Sequence, residues 1–227
     1  MEKQQKGNKI NIFDNLIKIG KSSERIERKV LLLQGQTNFL KNKLIDANFY
    51  KDFEKRKVSS IYFDNFNFDS ARDNIDGVKE RIKFRIRYYN SDITKSKLEI
   101  KLKSGFIGYK VNNPLNKTSS KNNLIYEARK LIQSMTGMTV YPVTEVEYER
   151  LYYKNFSNVR CTIDNNIKSN KYNSLSSHLK PSKYEVIEFK YTKELDGYFR
   201  TNIWNDFNAY NLKMTKSSKY INSYKMV

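Results

Sequence analysis

From Arg81 to Tyr88 the chain reads Arg-Ile-Lys-Phe-Arg-Ile-Arg-Tyr, with basic and apolar residues in strict alternation. A period of two belongs to an extended strand, whose successive side chains point to opposite faces, and not to an amphipathic helix. Arg81, Lys83, Arg85 and Arg87 therefore share one face, and Ile82, Phe84, Ile86 and Tyr88 the other. Like charges set along one strand repel one another, so that face calls for water or for an anionic partner.

The pattern recurs along the chain. Arg25, Glu27 and Lys29 share a face, and Ser60, Tyr62 and Asp64 alternate with Ser59, Ile61 and Phe63. Glu99, Lys101 and Lys103 alternate with Leu98, Ile100 and Leu102. Arg160, Thr162 and Asp164 fall together, as do Glu188 and Lys190 against Ile187 and Phe189. Between Val143 and Tyr152, Val146, Tyr148 and Arg150 oppose Glu145, Glu147 and Glu149, whose side reads as a solvated outer face. Either an open sheet backed by helices turns these charged faces to water, or the strands close with the charges inside.

The mixture of residues favours closure. Phe63, Phe84 and Phe189 lie opposite the cations, whereas a nucleic-acid platform carries its stacking rings among its basic residues. Nucleic acid is therefore the less favoured partner. Cations with scattered carboxylates suit a polyphosphate and a divalent ion: arginine forks grip phosphate oxygens, lysines add point charge, and a carboxylate holds the metal. Neither a GxxxxGK[ST] loop nor a glycine-rich dinucleotide fingerprint is present.

The net charge of +19, from 43 Lys and Arg against 24 Asp and Glu, points the same way, towards an anionic partner. Cys161 and His178 are the only residues of their kinds, which rules out an internal disulfide and multi-histidine or cysteine-cluster metal sites. No apolar run approaches the roughly 20 residues that span a bilayer, so a soluble, cytoplasmic protein is expected. Apolar spacing predicts helices over 37–57, over 124–135 with Gly137 ending it, and over 197–207, with Trp204 and Tyr210 packed. Turns or loops are expected over 65–77, 112–123 and 165–182. Residues 1–20 read as a flexible arm carrying a short helix, and residues 21–227 as one domain.

In order, these segments resemble the VTC-type polyphosphate polymerases, a branch of the triphosphate tunnel metalloenzymes. The carrying pieces are Arg25-x-Glu27-x-Lys29, Ser60-Ile61-Tyr62-Phe63-Asp64, Lys83-x-Arg85-x-Arg87-x-Tyr89 and Leu98-Glu99-x-Lys101. They continue as Tyr148-Glu149-Arg150, Arg160-x-Thr162-x-Asp164, Glu188-x-Lys190 and Lys216-x-Ser218-Lys219-Tyr220. The resemblance implies an α+β fold: an antiparallel β-barrel with a charged lumen and helices packed outside. It implies transfer of the ATP γ-phosphoryl group onto inorganic polyphosphate or pyrophosphate, with Mn²⁺ or Mg²⁺. The catalytic cations would be Arg85, Arg87, Arg150, Arg160 and Lys101. Lys29, Lys83, Lys110, Lys190, Lys216, Ser218 and Lys219 would bind substrate, and Glu188 the metal; Arg72 is a weaker candidate. Where the hydrolytic branch opens with two alternating glutamates, this chain has Arg25 in the first place, which favours the polymerase side.

Other readings stay open at this level. Glu188 serves equally as an ion-pair partner of Lys190, and Lys216 and Lys219 as cations near a helix end. The fold also accommodates a tripolyphosphatase or nucleoside triphosphatase, and the charge also fits a non-catalytic binder of polyphosphate or RNA.

Overall fold

The computed structural model describes residues 12–23, 25–105, 107–172, 178–208 and 212–225. Ten strands form one antiparallel sheet: β1 (Lys21–Ser23), β2 (Arg25–Leu33), β3 (Phe49–Asp64), β4 (Glu80–Tyr89), β5 (Asp92–Ser104), β6 (Ile107–Pro114), β7 (Tyr141–Asn155), β8 (Arg160–Lys171), β9 (Lys180–Pro181) and β10 (Tyr184–Thr192). The order across the sheet is β1-β6-β5-β4-β3-β7-β8-β10-β2, with β9 beside β8. β1 and β2 are one residue apart in sequence, yet they stand at opposite ends of that order. A sheet can satisfy both facts only by curling until its edges come near each other, so it is barrel-like rather than an open platform, although no ladder joins β1 to β2 among the described residues.

The apolar sides of the alternating strands turn outwards and are covered by helices. On one side, α1 (residues 12–19) and α4 (Lys121–Thr136) cover β3 to β6, bringing Phe13, Leu16, Leu124, Ala128 and Ile132 onto Ile61, Phe84, Ile86, Leu98 and Ile100. On the other, α2 (Thr37–Asp46) and a helical run cover β2, β8 and β10. That run passes through α5 (Asp196–Tyr198), a π-helical stretch (Phe199–Trp204) and α6 (Asn205–Asn208). Leu40, Leu44, Phe199, Ile203 and Phe207 pack there on Ile163, Ile187 and Phe189. Each such fully buried Leu, Ile or Phe contributes about 2 kcal/mol. Ser120 caps α4, its Oγ accepting from Asn123 N at 3.4 Å, and Gly137 closes it at φ +68°, a conformation that suits glycine.

Several expectations need correcting. The helix read over 37–57 stops at Asp46. Asn48 turns to φ +58°, and Phe49 and Phe53, which fall at helical spacing, belong to β3 and pair with Asn155 and Tyr152 of β7. The connection over 65–77 holds a helix, α3 (Asp69–Ile75). β6 takes residues to Pro114 from the loop expected over 112–123, and β8 runs on to Lys171 inside the one expected over 165–182. The arm is not wholly free, because α1 buries Phe13 and Leu16. Tyr210 lies outside the described residues. No helix among the described residues is long and apolar enough to cross a membrane.

The concave face is also not charged throughout. Val58, Tyr62, Val146, Tyr148 and Val186 form an apolar patch on it, closed over by Ala71 of α3 and by Tyr220 and Ile221 of α7 (Lys219–Lys225). Asp64, the last residue of β3, ties these helices down. Its carboxylate accepts from the N–H groups of Ser70 and Ala71 at 3.0 Å each and from the Tyr220 hydroxyl at 2.6 Å.

Candidate functional site

Cross-strand register assembles the charged part of the concave face. Paired residues share a face. Ser60 opposes Arg87, Tyr62 opposes Arg85, Arg85 opposes Glu99, Lys83 opposes Lys101, and Lys101 opposes Lys110. Across the sheet Arg150 opposes Asp164, Thr162 opposes Glu188, and Glu188 opposes Lys29. Lys29, Lys83, Arg85, Arg87, Lys101, Lys110, Arg150 and Lys190 thus face one space, and α7 adds Lys219 from its first turn.

Four carboxylates hold these cations. Glu99 accepts from Arg85 at 2.6–2.7 Å and from Lys110 at 2.5 Å, with Arg87 at 3.7 Å. Burial would push its carboxyl up, but Arg85, Arg87 and Lys110 hold it far below the usual range. Asp164 takes Arg150 in a bidentate pair at 2.6 and 2.8 Å and also receives Lys219. Glu27 joins Lys101 at 3.2 Å and Lys190 at 3.7 Å, and Lys190 reaches Glu188 at 3.2 Å. Glu188 is 7 % exposed; burial raises it, and Lys29, Lys190, Arg150 and Lys101 outweigh that, leaving it firmly ionised.

Phenols and hydroxyls set the remaining donors. Arg87 donates to Ser60 Oγ at 3.2 Å and to the Tyr148 hydroxyl at 3.0 Å, while Arg85 donates to the Tyr62 hydroxyl at 3.2 Å. Lys219 lies 4.6 Å and Arg150 5.3 Å from the Tyr148 ring centroid, within cation–π range. Lys83 donates to Ser218 Oγ at 3.0 Å and to Asn74, and Lys29 to the Ser217 carbonyl at 3.1 Å, which draws the approach to α7 against the cations. Burial, reinforced by Lys29, Lys101, Arg81 and Arg85, pushes the Lys83 amine down to about 7.

Three expected residues stand apart. Arg160 shares the face through its pairing with Lys190 and Lys154, but is exposed at the rim. Lys216 is exposed on the segment that runs beside β2, where Thr215 N donates to the Lys29 carbonyl. Arg72 is exposed on α3. Glu188 does pair with Lys190, the structural role read as its alternative, while lying at the centre of the cations. Sequence reasoning passed over Glu99, Asp164, Tyr62 and Tyr148 as site residues. Their signal was present in the alternation, which sets each on the cationic face. Among the described residues no group of three or more His, Cys, Asp or Glu could hold an ion by itself. Glu27 and Glu188, bridged by Lys190, supply two hard oxygen donors. That fits a magnesium-like ion carried in on phosphate oxygens rather than a protein cage.

A curled antiparallel sheet with helices outside and a cationic, carboxylate-studded concave face defines a triphosphate tunnel fold. Solved structures agree. The PH1819 protein of Pyrococcus horikoshii OT3 matches 89 % of this chain and 99 % of its own at 13 % identity and a TM-score of 0.51. A Hippeastrum protein assigned as an adenylyl cyclase, described as having a dominant triphosphatase activity, matches 86 % and 92 % at 12 % identity and 0.52. A Vibrio parahaemolyticus protein assigned as an adenylate cyclase matches 87 % and 98 % at 10 % identity and 0.50. At such identities the likeness is one of fold. The model of the VTC domain matches residues 24–227, and the chain belongs to that family. No curated protein matches it.

Proposed function

We propose that the chain is a metal-dependent polyphosphate polymerase, transferring the γ-phosphoryl group of ATP onto a growing inorganic polyphosphate chain. Family membership and the tunnel fold support the coarser reading, an enzyme of triphosphate or polyphosphate. One observation carries the finer one: Glu27, Glu99, Asp164 and Glu188 are all engaged by lysine or arginine. The site is thus rich in charge-neutralising donors, and each of these four carboxylates, among the described residues, already pairs with a cation rather than standing ready to draw a proton from water.

A polymerase needs no such base. Its nucleophile, a terminal phosphate oxygen of the chain, is already ionised. That oxygen bonds to the γ-phosphorus, the bond from γ-phosphorus to the β–γ bridging oxygen breaks, and ADP leaves with the electron pair. The chain grows by one phosphate. The protein supplies alignment and neutralisation. Arg85, Arg87, Arg150 and Lys101 hold the transferring and acceptor phosphates, with Arg160 at the rim. Lys29, Lys83, Lys110, Lys190, Lys216, Ser218 and Lys219 extend the grip. Glu188, with Glu27, would hold Mn²⁺ or Mg²⁺, which supplies charge neutralisation on the triphosphate.

The second reading, a triphosphatase on the same fold, draws on the activity described for the Hippeastrum neighbour. Site variants test the proposal. Arg87→Ala and Glu188→Ala should each lower the rate of chain growth from ATP by on the order of 10²–10³. Chain growth unchanged in both would remove the tunnel from the reaction.

A further inference from the structure

At the rim the concave face carries a cluster of rings. Phe53 pairs across strands with Tyr152, Arg56 with Arg150, and Val58 with both Tyr148 and Tyr89, so Phe53, Arg56, Tyr89 and Tyr152 all lie on the face that holds Arg150 and Arg87. The Arg56 guanidinium is 5.9 Å from the Phe53 ring centroid, 5.9 Å from Tyr89 and 6.0 Å from Tyr152, at the outer limit of cation–π attraction. Phe53 meets Tyr152 edge-on at 5.8 Å. The rings are therefore gathered without being stacked shut. Phe53 is 53 % and Tyr89 36 % exposed, Arg56 is exposed, and no carboxylate lies within ion-pair distance of Arg56 among the described residues.

A phosphate-only ligand would pair with the Arg56 guanidinium and leave the neighbouring exposed rings in water. Tyr152 stands two residues from Arg150, and Tyr89 two from Arg87, about 7 Å along each strand. That is the offset a ribose would bridge between the base and the α-phosphate, with the β- and γ-phosphates running on past Arg150 and Arg87 towards Arg85 and Lys101. We infer that Phe53, Tyr89 and Tyr152 form a stacking site for the base of a nucleoside triphosphate, with Arg56 beside the ribose and α-phosphate. The inference rests on the reading of the tunnel as a phosphate site and deepens it. The donor is a nucleotide recognised at both ends, not inorganic triphosphate.

Titration calorimetry of ATP and of inorganic tripolyphosphate, each in EDTA so that the metal-dependent reaction does not run, tests it in wild type, Phe53→Ala and Tyr89→Ala. The ratio of the ATP to the tripolyphosphate dissociation constant should rise about tenfold in each variant, the loss of one stacking partner. An unchanged ratio overturns the inference, whether or not absolute affinities fall. So does a wild-type protein that binds tripolyphosphate and not ATP. Variants that lose a single-stranded oligouridylate while the ratio stays constant would give the rim to RNA instead, and equally overturn it. The readout is binding alone. Absence of chain synthesis would refute the polymerase reading without touching this ratio, and an unchanged ratio would leave chain synthesis standing.

Discussion

Asp164 and Glu99 organise the site more than any single cation. Each sits between guanidinium and ammonium groups that would otherwise repel one another across the concave face. Burial raises the Asp164 carboxyl, but Arg150 and Lys219 bring it down to about 2 from an ordinary 3.8. A carboxyl lowered in the folded state stabilises the protein above the unfolded value and ceases to do so as pH falls through the folded one. The contribution, on the order of 2 kcal/mol, should therefore fade between about pH 4 and pH 2. Asp164→Asn should lower the melting temperature at pH 7 and flatten its fall over that window; parallel acid limbs in the two proteins would refute this. Lys83 behaves oppositely. With its amine lowered to about 7, it is largely neutral at pH 8 in the free protein, and an arriving polyanion should charge it. Tripolyphosphate binding at pH 8 should take up protons, measured by calorimetry in buffers of different ionisation enthalpy, and Lys83→Met should take up fewer. Equal uptake would assign the proton elsewhere. That Lys29, Lys83, Arg85, Arg87, Lys101, Arg150 and Lys190 share a face with their neighbours on each strand is legible in the sequence because alternation fixes a face, whereas Lys110 and Lys219 enter only through the family resemblance. Which carboxylate holds which cation is not legible there, because pairing such as Glu27 with Lys101 depends on how the sheet curls.

At the level of elements, strands read more truly than helices and connections. Arg81 to Tyr88 and Tyr184 to Tyr191 lie within β4 and β10 because period-two alternation has one geometric meaning. The span 37–57 misled because Phe49 and Phe53 continue a helical spacing that only pairing with β7 overrides. The turn-rich run after Asp64 conceals α3 for a different reason. The helix is short and its start is held by Asp64 from outside the run, through the N–H groups of Ser70 and Ala71. The same carboxylate receives the Tyr220 hydroxyl, and the Tyr220 ring stacks on Tyr62 at 5.2 Å. Tyr220→Phe keeps the ring and removes the charge-assisted bond, so it should cost about 2 kcal/mol in urea unfolding. An unchanged unfolding midpoint would show that α7 is held without the Tyr220–Asp64 bond, by its apolar contacts and the Lys219–Asp164 pair.

For the whole molecule, a net charge of +19 and a sheet curled around its cations describe a protein built to receive a polyanion. The mixture of charges points to closure, and the strand order gives a curled, barrel-like sheet that stops short of a closed ladder, since β1 and β2 lie at opposite edges while adjoining in sequence. The apolar patch under α3 and α7 was not foreseen, because Val58, Val146 and Val186 look in sequence like any inward valine; only the packing of Tyr220 and Ile221 on them marks that end of the concave face as filled. The most direct test of the central claim is the phosphorus balance of the reaction. Phosphorus NMR of the protein with ATP, Mn²⁺ and a tripolyphosphate primer should show one new internal phosphate resonance for each ADP formed, with orthophosphate flat. ADP matched by orthophosphate, with no internal phosphate gained, would contradict the polymerase account and make the tunnel a hydrolase.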